Sequence, residues 1–266
     1  MPELAEVEFF RKQWDAGLDK RIAAVLLHPD KRVFRGTDAQ KLQQVLPGSR
    51  LLASEAHGKQ MLFRFSHGIW LGLHLGMTGK LRVAEASFKP SKHDHLVLCQ
   101  KGCALVFNDA RQFGRVLFHQ GSSPPPWWRN LAVDVRSKSF TAARMEAFLQ
   151  RHRKLPIKAA LLLQTGFPGV GNWMADEILW RSGLHPRTSS GQIRGTSLQK
   201  LWRELRHVCR EAVKIVGKDY SDPPVGWLFQ ERWKRDGLCP IHKRPLRKET
   251  VGGRTSAWCP KCQAQR

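Results

Sequence analysis

Two sets of residues in this 266-residue chain have types and spacings that could do chemistry. The first is Met1-Pro2-Glu3-Leu4-Ala5-Glu6. Once an initiator methionine is removed, Pro2 presents a free secondary amine, a nucleophile that no internal residue supplies. Such an amine adds to the C1′ carbon of a sugar and forms an iminium ion, the electron sink needed to break bonds further along that sugar. Glu3, next to it, can carry the protons such steps require. The bland alternative is an ordinary helix start, because Pro2, Glu3, Glu6 and Glu8 all suit a first turn. The second set is Cys239-x2-His242 and, 16 residues on, Cys259-x2-Cys262. Two close ligand pairs one hairpin apart form a tetrahedral Cys3His zinc site, and four protein ligands leave no position for water, so this zinc is structural.

Further candidates lie between these sets. Lys59, in Gly58-Lys59-Gln60, precedes a strand-like run. Met77 sits in His74-Leu75-Gly76-Met77-Thr78-Gly79, and Arg111 and Phe113 in Asp109-Ala110-Arg111-Gln112-Phe113-Gly114. Apolar and guanidinium groups on glycine-flanked turns are the kind that wedge into a base stack. His93-Asp94-His95 has the spacing of a metal-binding pair but lacks an evident third ligand. Gly166-Phe167-Pro168-Gly169-Val170-Gly171-Asn172 opens a helix, where backbone N–H groups can face a phosphate; a tight interhelical turn would look similar. Arg254, in Gly252-Gly253-Arg254, falls at the tip of the hairpin between the two ligand pairs.

The elements that must position these residues divide into two styles. Residues 4 to 16 form a short helix, with Leu4, Val7, Phe10 and Trp14 on one face. From about residue 20 to 120, eight strand-like runs separated by glycine turns indicate a β-sandwich or barrel. Gly121-Ser-Ser-Pro-Pro-Pro126 is a stiff connector and a natural boundary. Beyond it the period turns helical, over Thr141 to Arg151, Lys158 to Gln164, Asn172 to Ser182 and Ser197 to Val216. A loop from Gly217 to Gly226 leads to the cysteine-containing tail. The expected divisions are 1–125, 126–230 and 231–266.

Composition narrows the partners. Lysine and arginine total 45 against 22 acidic residues, a net charge of +23, and the excess is larger after residue 150 than before it. A positive field of that size recruits polyanions, chiefly nucleic acid. The basic residues are scattered rather than gathered on an amphipathic helix, and no apolar run reaches the roughly 18 residues of a membrane span, so a soluble cytoplasmic protein is expected.

Taken in order, these motifs resemble the formamidopyrimidine-DNA glycosylase and endonuclease VIII family of base-excision repair enzymes. Met1-Pro2-Glu3-Leu4 resembles the family's N-terminal signature, His74 to Gly79 and Lys92-His93-Asp94-His95 its β domain, Gly169-Val170-Gly171-Asn172 its helix-two-turn-helix, and Gly253-Arg254 through Cys262-Gln263 its zinc finger. The resemblance implies an α+β multidomain enzyme: an N-terminal β-sandwich with a short N-terminal helix, then a helix-two-turn-helix domain with a β-hairpin zinc finger, gripping double-stranded DNA that carries damaged bases or abasic sites. It implies one structural zinc ion and a monomer. By similarity, Pro2 is the Schiff-base nucleophile and Glu3 the proton donor for base release. Lys59 is the acid for β-elimination and a phosphate contact, and Arg254 the donor associated with δ-elimination. Met77, Arg111 and Phe113 would fill the space left by a flipped nucleotide, with His93, Arg153 and Asn172 on phosphates.

Some positions depart from the pattern. Ala5 replaces the usual proline, Leu163 a common acidic residue, and His242 the commonest cysteine ligand. Asp222-Pro223-Pro224 lies where relatives cap the flipped base, which leaves the target base open. The Met-Arg-Phe set resembles the branch acting on oxidised purines more than that acting on oxidised pyrimidines. Two other readings remain from the residues: a catalytically silent DNA-binding protein, and a helix-hairpin-helix glycosylase of the endonuclease III type using an internal lysine.

Overall fold

A computed structural model describes residues 1–264. The chain forms two compact units, one of Met1–Pro2 and Glu6–Leu131, the other of Glu3–Ala5 and Ala132 onward. The second joins the helical and hairpin segments expected as separate divisions.

In the N-terminal unit, helix α1 (Leu4–Gln13) runs into a 3-10 turn, Trp14–Gly17, where the sequence pattern predicts one continuous helix to residue 16. Eight strands follow: β1 (Ile22–Leu27), β2 (Leu51–His57), β3 (Gln60–Phe65), β4 (Ile69–His74), β5 (Lys80–Ala84), β6 (Asp94–Gln100), β7 (Cys103–Asn108) and β8 (Arg115–Gln120). They make two four-stranded antiparallel sheets ordered β1-β6-β7-β5 and β2-β3-β4-β8. Trp14, Phe63, Phe65, Leu98, Phe107 and Val116 belong to one buried cluster built on these strands. The sandwich thus follows from apolar strands packed face to face, with β4, β6 and β7 buried along nearly their whole length.

Two short helices in this unit escape the periodicity. Helix α2 (Ala39–Val45) is capped by Asp38, whose carboxylate accepts from Lys41 N–H at 2.9 Å. Helix α3 (Pro126–Arg129) grows out of the proline connector, with its first-turn proline as expected of a helix start.

The C-terminal unit contains α4 (Ala142–Arg151), α5 (Ile157–Leu161), α6 (Asn172–Ser182), α7 (Gly195–Asp219) and α8 (Phe229–Arg232). Helix α7 is amphipathic, burying Leu198, Leu201, Leu205, Val208, Ala212 and Val216 at three- and four-residue spacing. Helix α6 is buried on nearly every side. The glycine loop that enters α6 is braced by Gln164, which accepts from Gly169 N–H at 3.0 Å and donates to Val170 O at 2.9 Å. Strands β9 (Arg247–Val251) and β10 (Arg254–Trp258) form the antiparallel hairpin, with Arg254 paired to Val251 across its turn.

Candidate DNA-glycosylase site

The sequence-predicted residues fall into a group on the ends of the sandwich strands and a group around the start of α6. In the first, Lys59 is 8% exposed on the two-residue turn joining β2 and β3. Gln60 beside it pairs with His74 at the end of β4. Burial, reinforced by the positive charges of Lys59 and Arg35, pulls His74 down to about 4, so this imidazole is neutral at pH 7. Its Nδ1 accepts from Gly76 N–H at 3.0 Å. Gly76 has φ +61°, and a Cβ there would lie 2.4 Å from the backbone carbon of Phe113, so only glycine lets the two turns lie against each other.

Met77 and Phe113 stand out from these turns, 38% and 36% exposed. The Arg111 guanidinium lies 4.8 Å from the centre of the Phe113 ring, and Arg32 lies 5.5 Å from it. Arg35 donates to Gly114 O at 2.7 Å, holding the same turn from below. His93 is half-buried, and its carbonyl accepts from Asp109 N–H at 2.9 Å. The structure therefore gathers the segments bearing Met77, His93, Arg111 and Phe113. His95 is fully buried and bonded through Nε2 to Asp109 O at 2.8 Å, so His93-Asp94-His95 is a strand start and not a metal pair.

The second group centres on Glu3, which is 3% exposed. Its carboxylate accepts from the backbone N–H groups of Gly171 at 3.0 Å, Trp173 at 2.9 Å and Met174 at 3.1 Å, and Leu4 N–H donates to Gly169 O. A Cβ on Gly171 would fall 2.2 Å from Glu3 Cδ, so the glycine exists to admit the carboxylate. This corrects one sequence expectation: the N–H groups at the start of α6, read as a phosphate cradle, are taken by the chain's own Glu3. The helix dipole and three donors favour a carboxylate there. Asn172 keeps a buried side-chain Oδ1 with no hydrogen-bond partner among the described residues, while its backbone carbonyl accepts from Lys158 Nζ at 2.7 Å.

Lys158 belongs to a buried charge cluster that sequence reasoning missed. It also donates to Asp176 Oδ1 at 2.5 Å, and burial draws its pKa down against the opposing pull of that carboxylate. Arg232 NH2 donates to Asp176 Oδ2 at 2.6 Å, and Ser256 Oγ to Oδ1 at 2.7 Å. Ser256 is two residues from exposed Arg254 on β10, so Asp176 links the Asn172 end of α6 to the strand bearing Arg254. Pro2 is half-buried, and Arg153 is exposed, its carbonyl accepting from Gly191 N–H at 3.1 Å. In the loop after α7, Trp227 N–H donates to Pro224 O at 3.2 Å, and Val225 between them is 98% exposed.

The four metal-ligand candidates converge, all ligand atoms lying within 4.8 Å of one another. Cys239 Sγ is 3.6 Å from Cys262 Sγ and 3.8 Å from His242 Nδ1, and Cys259 Sγ is 4.0 Å from His242 Nδ1. Tetrahedral zinc requires ligand separations of about 3.5–3.8 Å, so the donor set fits, with the 3.0 Å separation of His242 Nδ1 and Cys262 Sγ the one tight edge. Backbone N–H groups of His242 and Cys262 point at Cys239 Sγ and Cys259 Sγ, and Trp180 Nε1 donates to Cys239 Sγ at 3.4 Å. Burial would push the Cys239 thiol up, but these donors outweigh it and hold the thiol at about 6, ready to bind as a thiolate.

Solved structures similar to this chain include DNA glycosylase complexes. One is Lactococcus lactis Fpg (MutM) with DNA containing N7-benzyl-Fapy-dG, 25% identical, TM-score 0.89, covering 99% of this chain and 100% of that one. Another is the Lactococcus lactis formamido-pyrimidine DNA glycosylase bound non-covalently to DNA containing an AP site, 25% identical with TM-score 0.87 and the same coverage. The model of the formamidopyrimidine-DNA glycosylase N-terminal domain matches residues 1–116, and that of the H2TH domain matches 131–222. The Psychromonas ingrahamii formamidopyrimidine-DNA glycosylase is 33% identical over 99% of this chain and all of its own length. The chain belongs to the formamidopyrimidine-DNA glycosylase family.

Proposed function

We propose that the protein is a bifunctional DNA glycosylase and abasic-site lyase that removes oxidised bases, oxidised purines in preference, from double-stranded DNA. The observation that carries this reading is the burial of Glu3 in the mouth of α6. Three backbone donors and a glycine shaped around its carboxylate hold an N-terminal residue where fraying is the usual outcome.

In this reading the Pro2 nitrogen, freed of Met1, bonds to C1′ as the glycosidic bond breaks and the base leaves with a proton. Glu3 takes the proton from the Pro2 amine and passes one to the departing base. The C1′–O4′ bond then opens, O4′ leaving as a protonated hydroxyl, and the aminal becomes an iminium that acidifies C2′. Loss of that proton expels the 3′ phosphate, with Lys59 supplying acid, and a second elimination, assisted by Arg254, expels the 5′ phosphate. Met77, Arg111 and Phe113 occupy the gap left by the extruded nucleotide, and His93, Arg153 and Asn172 hold phosphates. Cys239, His242, Cys259 and Cys262 would hold one structural zinc, which when bound ties the ends of the hairpin together. The protein acts as a monomer in the cytoplasm. Among the described residues no helix is long and apolar enough to cross a membrane.

The test is borohydride trapping of protein processed at Met1 on parallel duplexes carrying an abasic site, 8-oxoguanine, a formamidopyrimidine or an oxidised pyrimidine. Covalent adducts are expected, fastest on the purine lesions. Tight binding without an adduct on any duplex would overturn the catalytic reading, and an adduct that persists with Met1 retained would remove Pro2 from its role.

A further inference from the structure

A buried residue with no role in the proposed chemistry connects most of the candidate wedge. Asp109 is fully buried at the end of β7. Its Oδ1 accepts from Thr78 Oγ1 at 2.6 Å and from Arg111 N–H at 3.3 Å, and its Oδ2 from Gly114 N–H at 2.7 Å. Its backbone carbonyl accepts from His95 Nε2 at 2.8 Å and from Gln112 N–H at 3.2 Å, while its own N–H donates to His93 O at 2.9 Å. One residue is thus bonded to three separate segments: the β4–β5 turn with Met77, the start of β6 with His93, and the β7–β8 turn with Arg111 and Phe113.

An aspartate at a strand end ordinarily closes its own turn, which the bonds to Arg111 and Gly114 would accomplish. The bond of the carboxylate to Thr78 and that of the backbone carbonyl to His95 go beyond that, to segments 31 and 14 residues away in sequence, and only the first depends on the aspartate side chain. Their effect is to fasten together two turns whose exposed tips are apolar. Gln112 is held at φ +53°, a conformation that a non-glycine residue keeps only when its surroundings impose it. Burying a carboxylate is costly, and here the cost is offset by charge-assisted bonds with fixed directions, which is what a rigid mount needs.

We propose that Asp109 is the positioning residue of the wedge, holding Met77, Arg111 and Phe113 in the shape that fills the vacated base site before DNA arrives. The proposal rests on the glycosylase reading. It deepens that reading by assigning substrate extrusion, as distinct from bond breaking, to a residue that need not touch DNA.

The experiment compares two substrates. On duplex DNA carrying 8-oxoguanine the base must be extruded; on a single strand carrying an abasic site nothing need be. Asp109→Ala is expected to slow single-turnover excision from the duplex about 100-fold, the scale of a misplacement near 1 Å. Borohydride trapping on the single strand should stay within about twofold of wild type, because Pro2 chemistry needs no wedge there. Asp109→Asn, which keeps an acceptor for Gly114 and an amide for the Thr78 hydroxyl, should recover most of the duplex rate. Equal loss on both substrates, or no loss on the duplex, would overturn the proposal.

Should Asp109→Ala fail to fold, Thr78→Val removes one donor at constant shape and should slow the duplex reaction about 10-fold with the single strand unaffected. A second readout is fluorescence of 2-aminopurine placed beside the lesion, which reports extrusion without chemistry. Its amplitude should fall in Asp109→Ala, and an unchanged amplitude would sink the proposal. If the wild-type protein traps nowhere yet raises the 2-aminopurine signal, the catalytic reading fails while the role of Asp109 in extrusion is still decided.

Discussion

Asp109 in the N-terminal unit and Asp176 in the C-terminal unit are both buried, and each ties together segments that bear candidate site residues, yet they are satisfied in opposite ways. The Asp109 carboxylate accepts from a hydroxyl, Thr78 Oγ1, and from the backbone N–H groups of Arg111 and Gly114. Asp176 takes a lysine and an arginine directly, with Ser256 Oγ and Ala257 N–H filling the remaining positions. Neutral donors on turns specify direction and hold exposed tips in register. Two buried cations around one anion store large opposing charges, which are tolerable only while all three are present. The first arrangement suits a surface whose shape matters, the second a joint between helices and hairpin that must not come apart.

The largest predicted effect follows from that difference. Asp176→Ala leaves Lys158 and Arg232 facing each other without an anion and should cost about 3–5 kcal/mol, read as a lowered urea midpoint of the C-terminal unit. Asp109→Asn should cost only about 1–2 kcal/mol, because its donors carry no net charge to be stranded. Equal losses would erase the contrast.

Next is an opposite response of the two units to pH. His74 in the N-terminal unit is held at about 4, against 6.5 in the unfolded chain. From pH 6.5 down to 4 the unfolded chain therefore binds a proton that the folded one refuses, and stability present above pH 6.5 is lost on acidification. Burial raises Glu177, in the C-terminal unit, to about 7 despite its 2.7 Å bond from Arg181. Here the folded state keeps a proton the unfolded state has released, so stability present below pH 4.5 is lost as pH rises toward 7. Each effect is at most about 3.5 kcal/mol. Hydrogen exchange resolved by unit, between pH 5 and 7, should show protection moving in opposite directions, and Glu177→Gln should flatten the C-terminal trend.

Gly171→Ala puts a methyl group into the Glu3 carboxylate and should cost about 1–3 kcal/mol by overpacking. Its diagnostic effect is on trapping, which should fall at least as far as in Glu3→Gln if the seat of Glu3 is what matters. The smallest effect is on the metal site. Trp180→Phe deletes the N–H bond to Cys239 Sγ and should weaken zinc about 10-fold in chelator competition, with the hairpin still folded when zinc is in excess.

Much of this was legible because it is local. The members of each ligand pair lie three residues apart and the pairs one hairpin apart, so their spacing already announces the site. The strands show as short strand-like runs between glycine turns, and α7 as a long three-and-four pattern. Helix α2 went unread although its cap, Asp38 three residues before Lys41, was present: seven residues give too few turns for periodicity to show. Nor does any local pattern mark Lys158, whose neighbours read as an ordinary apolar helix.

By itself, then, the sequence determined most strands and the longer helices, the spacing of the Cys/His cluster and the strongly basic character, each of which depends on residues close together or on simple sums. Tertiary structure alone decided what the polar groups do. The start of α6 was a fair phosphate cradle until Glu3, some 170 residues away, arrived to fill it. Asp109 looked like a turn residue until folding brought Thr78 and His95 to it. A hydrogen bond or ion pair acts over a few ångströms whatever the length of chain between its partners, so which donors meet which acceptors is known only once the chain has closed on itself.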